Sequence, residues 1–230
     1  MNTASADRPN VLVLFTGALL GFEDSVASLR RLVSDGWVLD WRQTPAASRI
    51  LDQGAIESIG MTPAGPELVR NHEVLLIPTM TVNVAAKVAH GIGDCLASNL
   101  MAEFIMTNKT IVASVAGSCP DAPEKRGWFP TMPEGYAEML RGNLARLRAF
   151  GVHLATPGRL DAAMLRALDT TAQPHGAAVV DHHAQLVTAT TVAGLPDGAT
   201  VRLEPGTVVT PLAREAARSR GIVLTHREEN

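Results

Sequence analysis

Apolar positions along the chain fall into short unbroken runs separated by segments of helical spacing. Residues 11–15 read Val-Leu-Val-Leu-Phe and stop at Thr16-Gly17. A run without alternation is buried on both faces, as a strand inside a parallel sheet is. Val26, Leu29, Leu32 and Val33 then recur at helical spacing from about Glu23, with Gly36 as the stop. Residues 37–41 predict a second short strand. The Pro- and Gly-rich residues 44–66 lead to a short helix ending near Arg70. Residues 74–77, Val-Leu-Leu-Ile, predict another buried strand closed by Pro78. Helices are expected over 84–90 and 96–107, and a strand over 111–115. Residues 116–130 predict a loop long enough to be functional or mobile. Thr131 and Glu134, with Pro133 between them, have the spacing of a capping box. They predict a helix with Met139, Leu140, Leu144, Leu147 and Phe150 on one face, ended by Gly151 and followed by a strand over 152–155.

Strand alternates with helix at least four times. That order predicts an α/β fold, a Rossmann-like doubly wound parallel sheet with right-handed crossovers. After about Pro174 the pattern changes to short strands over 186–188, 199–203 and 222–225, with a helix opened by Thr210 as N-cap and Pro211 at its first position. The expected organisation is a disordered N-terminus over 1–9, a main domain over 10–174 and a small C-terminal α/β extension or docking module over 175–230.

The 230 residues carry 46% apolar and 19% charged side chains, a globular composition that can bury a full core. A net charge of −3 lacks the basic footprint of a nucleic-acid or anionic-membrane binder. No apolar run approaches a membrane-spanning length, and residues 1–9 lack a signal-peptide core. The two cysteines, Cys95 and Cys119, are far apart and outside any C-x-x-C pair, which reads as a reduced, cytoplasmic protein.

Candidate chemistry begins at Thr16-Gly17-Ala18, between the first strand and helix. A glycine there lets backbone N–H groups approach a phosphate at a helix N-terminus, or serves a plain strand–helix turn. It is neither G-x-G-x-x-G nor a P-loop. Residues 78–94 are more specific: small and hydroxyl residues (Thr79, Thr81, Asn83) follow a buried strand and can meet a planar ligand closely. This segment resembles the flavin-binding segment of the homo-oligomeric flavin-containing cysteine decarboxylase superfamily. Asn83, Lys87, Gly91, Ile92 and Asp94 fall in step with that family's Pro-Ala-Ser-Ala-Asn-Thr, Ala-Lys and Asn-Gly-Ile-Ala-Asp pattern. Residues 11–32 resemble its first strand, turn and helix, and Asn143, Leu144, Leu147 and Gly151 its late helix.

The resemblance implies a cytoplasmic FMN-binding flavoprotein, assembled as a homo-trimer or larger. Thr16, Gly17, Ala18, Thr44 and Ser48 would hold the phosphate and ribityl chain. Thr79, Met80, Thr81, Asn83, Ala116, Gly117 and Ser118 would face the ring. An apolar helix over 99–107 would be covered in the oligomer. In the family's prenyl-transferring branch basic residues hold phosphates, a part open to Arg42, Arg49, Lys125 or Arg126.

The departures are equally specific. Ala18 stands where the family has a phosphate-binding Ser, and the segment from Pro78 to Asn83 is one residue longer. No His occupies residues 57–61, where the decarboxylases carry theirs, and Val115-Ala-Gly-Ser118 replaces their Pro-Ala-Met-Asn. Decarboxylase chemistry is therefore not expected. The alternative is a flavin-free partner or assembly subunit on the same scaffold, as the similar dipicolinate-synthase small subunit illustrates. Cys119 is the candidate catalytic thiol of a lyase or oxidoreductase, or an ordinary loop cysteine. His175, His182 and His183 read as surface residues rather than metal ligands, because adjacent strand residues face opposite ways. Met61, Met80, Met101 and Met106 read as core fillers. Residues 207–222 resemble tails of proteins encoded with bacterial microcompartments.

Overall fold

The computed structural model describes residues 8–172, 179–182, 184–195, 199–220 and 222–226. The chain divides into two compact units, Met1–Leu168 and Asp169–Asn230.

The first unit is built on a six-stranded parallel sheet. Its elements are β1 (Val11–Phe15), α1 (Phe22–Ser34), β2 (Leu39–Gln43), α2 (Pro45–Ile50), α3 (Gln53–Glu57), β3 (Thr62–Pro63), α4 (Leu68–Asn71), β4 (Val74–Ile77), α5 (Val82–Ala89), α6 (Leu96–Met106), β5 (Thr110–Ser114), α7 (Pro123–Trp128), α8 (Glu134–Ala149), β6 (Val152–Ala155) and α9 (Leu160–Ala172). The strand order is β3-β2-β1-β4-β5-β6, the doubly wound arrangement the alternating pattern predicts. Val11, Val13, Phe15, Val74 and Leu76 pack beneath α1 and α9, which contribute Val26, Leu29, Leu160 and Met164. Leu12, Leu14, Leu75 and Ile77 pack beneath α5, α6 and α8, with Val84, Phe104, Leu144 and Leu147. Burial on both faces explains the unbroken apolar runs.

Several expected boundaries shift, each for a local reason. β2 starts two residues late because the Trp37 N–H is still bonded to the Leu32 carbonyl, at 3.0 Å, in the turn that ends α1. The stretch over 44–66 contains two short helices capped by Thr44 and Asp52, whose side chains accept from Ala47 N–H and Ala55 N–H. The capping box at Thr131 does not form, and α8 starts at Glu134 with Pro133 as its cap. Pro133 disfavours helical geometry at the residue before it, so the helix cannot begin earlier. Met106 is exposed at 76% rather than a core filler, as it is the last residue of α6. Most of the other apolar residues of α6 need no oligomer to cover them, although Leu96 at its start is 41% exposed. Ala97, Leu100, Met101 and Phe104 are buried in this chain's own core. On α8, Leu140, Leu144 and Leu147 are buried as expected, whereas Met139 and Phe150 are exposed.

An ion pair ties α1 to the start of α9. Arg31 Nε lies 2.5 Å from Asp161 Oδ2, and Ser28 Oγ donates to Asp161 Oδ1 at 2.8 Å. The Arg31 guanidinium, followed by the Ser28 hydroxyl, holds the Asp161 carboxyl down to about 2, against the desolvation that raises it. A depressed carboxyl stabilises the fold above its unfolded value of about 3.9, and that contribution is lost as pH falls towards about 2. Because Arg31 is half exposed, the effect is on the order of 1 kcal/mol. Asp161→Asn should flatten the stability profile of this unit between about pH 4 and pH 2, measured by urea titration at each pH. A profile as steep as the wild type's would assign the acid sensitivity elsewhere.

The second unit holds β7 (Val179–His182), β8 (Leu186–Val187), α10 (Ala189–Ala193), β9 (Thr200–Leu203), β10 (Val208–Val209), α11 (Pro211–Ser219) and β11 (Val223–His226). β11, β9 and β7 form one parallel sheet, and β10 pairs with β8 in parallel. Val187, Val192, Val201, Leu203, Ala213 and Ala217 make its own small core. Thr210 caps α11 as the sequence predicts, accepting from Ala213 N–H at 3.2 Å. His182 ends β7, while His175 and His183 lie outside the described residues.

Candidate functional site

The strand order reverses between β1 and β4, so the loops leaving their carboxyl ends diverge and open a crevice. Ligands of open α/β sheets bind at such a point. Thr16 follows β1 and Thr79 lies just beyond β4. The Thr16 N–H donates to Thr79 Oγ1 at 2.8 Å, and the Thr16 hydroxyl donates to the Thr79 carbonyl. Both residues are buried. Ser25 of α1 donates to the Pro78 carbonyl at 2.8 Å, fixing the same corner from behind.

The loop after β5 closes against these two. A Cβ on Gly117 would lie 2.5 Å from both the Ala18 Cβ and the Met80 carbonyl oxygen. Only glycine permits that approach. Gly21 has φ of 72°, and a Cβ there would overlap Pro157 and come within 2.9 Å of the Ala116 Cβ. Thr16, Ala18, Thr79, Met80, Ala116 and Gly117 therefore form one packed constellation.

The other expected residues lie around it. Gly17 faces α2, where a Cβ would sit 3.0 Å from the Ala46 Cβ. Thr44 is joined to β1 by its N–H to the Phe15 carbonyl, and its hydroxyl oxygen caps α2. Ser48 is exposed on α2, donating to the Pro45 carbonyl at 3.0 Å. Thr81 caps α5 through its bond from Val84 N–H. Asn83 is exposed in the first turn of α5. Ser118 is buried with its hydroxyl 3.3 Å from the Val115 carbonyl, and Cys119 packs half-buried against the β4–β5 core.

The motif residues after Asn83 have a structural task. Lys87 Nζ lies 2.8 Å from Asp94 Oδ1, and the Ile92 N–H donates to the Lys87 carbonyl at 2.8 Å. With Gly91 at φ 71°, they terminate α5 and secure the following loop.

Two residues of α7 complete the rim. Glu124 accepts the Gly21 N–H at 3.0 Å, and Lys125 donates to the Gly117 carbonyl at 2.5 Å. Burial pushes the Lys125 ammonium below the ordinary lysine value, with Cys119 acting weakly the other way. Glu124 was not legible as a site residue. The signal that could have found it is Pro123, a helix-opening residue inside an expected loop. Of the four basic candidates, Arg126 is paired with Asp121, Arg42 and Arg49 are exposed, and Lys125 alone is buried.

The residues described include no group of three or more His, Cys, Asp or Glu placed to hold a metal, and no helix long and apolar enough to cross a membrane. No protein-family model and no curated protein matches the chain. Solved structures do. DmrB from Burkholderia xenovorans, described as a cubic protein cage for redox transfer, superposes in its apo form with a TM-score of 0.56 at 19% identity, over 72% of this chain and 99% of its own. Its FMN complex gives 0.53 at 17% identity, over 73% and 99%. A dodecameric FMN-dependent UbiX-like decarboxylase from Escherichia coli O157:H7 gives 0.50 at 11% identity, over 70% and 94%. At these identities the likeness is one of fold: the chain has the fold of the flavin-containing cysteine decarboxylase superfamily.

Proposed function

We propose that the crevice at the carboxyl ends of β1, β4 and β5 binds FMN and that the protein is a homo-oligomeric flavoprotein. The observation that carries this reading is the convergence of the Thr16, Thr79 and Gly117 loops at the point where strand order reverses. Two further features fit such a group. Ser114 Oγ and Gln43 Oε1, on the last residues of β5 and β2, are buried at this edge of the sheet without a hydrogen-bond partner among the described residues. Buried polar atoms of that kind are normally matched by a ligand or water. The FMN complex of DmrB and the FMN-dependent UbiX-like enzyme give the same fold the same cofactor. Gly17, Thr44 and Ser48 would hold the phosphate and ribityl chain, Thr16 would brace the corner beneath them through Thr79, and Thr79, Thr81, Asn83 and residues 116–118 would face the ring. Bound there, FMN would supply two-electron oxidation chemistry, with Cys119 in the loop after β5 as the candidate thiol. The dodecamer and cage of the structural neighbours support a homo-oligomer.

A flavin-free partner subunit is the second reading, and a specific observation favours it. The α1 N-terminus carries Glu23 and Asp24 in its first turn, and Glu124 already accepts the Gly21 N–H. A phosphate there would meet carboxylates.

FMN separates the two readings. Cofactor at 100 times its dissociation constant should stabilise the first unit by about 2.7 kcal/mol against urea. Riboflavin, lacking the phosphate, should stabilise it less. No shift at millimolar FMN would leave the partner-subunit reading.

A further inference from the structure

A second hollow, adjoining the crevice at Lys125, lies between α7 and α8. It encloses about 460 Å³, within the range of small-molecule sites. Its walls are apolar and aromatic: Val82, Trp128, Phe129, Met132, Tyr136 and Leu140. Trp128, Phe129 and Tyr136 are 60%, 52% and 48% exposed, unusual for large rings in a chain that is only 4% aromatic. Isolated exposed rings need no explanation, but rings grouped around one hollow mark a binding surface.

The charge at this hollow is one-sided. Lys125 is its only charged lining residue. That side chain is buried to 6% exposure, and its single hydrogen bond is to the Gly117 carbonyl. No carboxylate pairs with it among the described residues. The neighbouring cations are already matched, Arg126 with Asp121 and Arg141 with Asp121 and Glu134. A buried ammonium without a counter-ion is costly, and it lowers that cost by losing its proton or by gaining an anion.

We infer that the hollow between α7 and α8 binds a small anion with a flat apolar body, such as an aromatic carboxylate, its carboxylate on Lys125 and its rings against Trp128, Phe129 and Tyr136. The ammonium has donors left after the bond to Gly117, and a carboxylate supplies both acceptors and charge. The aromatic walls supply stacking and apolar contact. The hollow adjoins the crevice, since Lys125 also holds the Gly117 carbonyl and Val82 lies between Thr81 and Asn83, and titration in the absence of FMN tests it apart from the flavin reading.

The test uses naphthalene-2-carboxylate and its neutral amide, titrated into the full-length protein and read by calorimetry and tryptophan fluorescence. The carboxylate should bind at least about tenfold more tightly than the amide, the margin of a charge-assisted hydrogen bond. Lys125→Met should abolish that preference, while Trp128→Ala should weaken both compounds without changing their ratio. Equal binding of the two by the wild type, binding of neither at 10 millimolar (roughly the weakest affinity for such a ligand), or a preference surviving in Lys125→Met overturns the inference. Should Lys125→Met fail to fold, the wild-type ratio and exposed Trp128→Ala still decide it.

Discussion

Gly21→Ala should destabilise the first unit by about 2–4 kcal/mol, combining the cost of a left-handed non-glycine residue with overpacking. The backbone at Gly21 has φ of 72°, and the added Cβ would collide with Pro157 and crowd Ala116. Neither neighbour yields easily, since Pro157 is a ring and Ala116 is buried in the β5 loop. Gly117→Ala should cost about 1–3 kcal/mol, from overpacking alone. There the obstacle is the Met80 backbone carbonyl as well as the Ala18 methyl, each 2.5 Å from the new atom. Gly142→Ala is the control: it lies within α8 with nothing within 4 Å of its Cβ, and should be neutral or stabilising by up to about 1 kcal/mol. All three tryptophans, Trp37, Trp41 and Trp128, lie in the first unit, so urea unfolding followed by their fluorescence reports on it selectively. If Gly21→Ala and Gly117→Ala both unfold with the wild-type midpoint, the loops are not packed as described.

The second large effect is an absence. Oxidative decarboxylation of a cysteinyl peptide should run far below the enzymatic norm of about 1 s⁻¹, even with FMN present. A positioned acid or base contributes about 10²–10⁴-fold, and no histidine described in the first unit stands at the crevice. His72 precedes β4, at the amino edge of the sheet, opposite the crevice. It is also fully engaged, with Nε2 3.0 Å from Asp40 and Nδ1 2.7 Å from the Leu68 carbonyl. His90 ends α5 and faces Arg146, and His153 lies exposed within β6. Product formation is followed by mass loss of carbon dioxide from the peptide. Turnover at about 1 s⁻¹ would mean that another group takes the acid–base role.

The sheet was the most legible part of the chain because continuous apolar runs leave little choice. β1, β4 and the ends of β5 follow directly from Val11–Phe15, Val74–Ile77 and Thr110–Ser114. Short helices were not legible by periodicity, since α2, α3 and α7 have too few turns to show it. Their caps were the readable signal: Thr44-Pro45 has the same chemistry as Thr210-Pro211, which did predict α11. α9 has no counterpart among the expected elements. Its apolar face, Leu160, Met164 and Ala167, is nonetheless spaced for a helix. Around the crevice, Thr16, Thr79 and Gly117 could be nominated from their places after strands. Contacts made by residues distant in sequence could not, and these include Gly21 with Glu124 and Gly117 with Ala18. The register of Lys87, Gly91 and Asp94 likewise carried two meanings in one dimension, and in three it secures the end of α5.

Whether the crevice over β1, β4 and β5 holds FMN is decided by equilibrium titration. FMN fluorescence is followed as purified, folded protein is added at fixed cofactor concentration. Quenching should saturate at one FMN per chain, with a dissociation constant of about 10 µM or below, roughly −7 kcal/mol or stronger. FMN fluorescence that stays unchanged in the presence of a folded excess of protein would contradict FMN binding in the crevice.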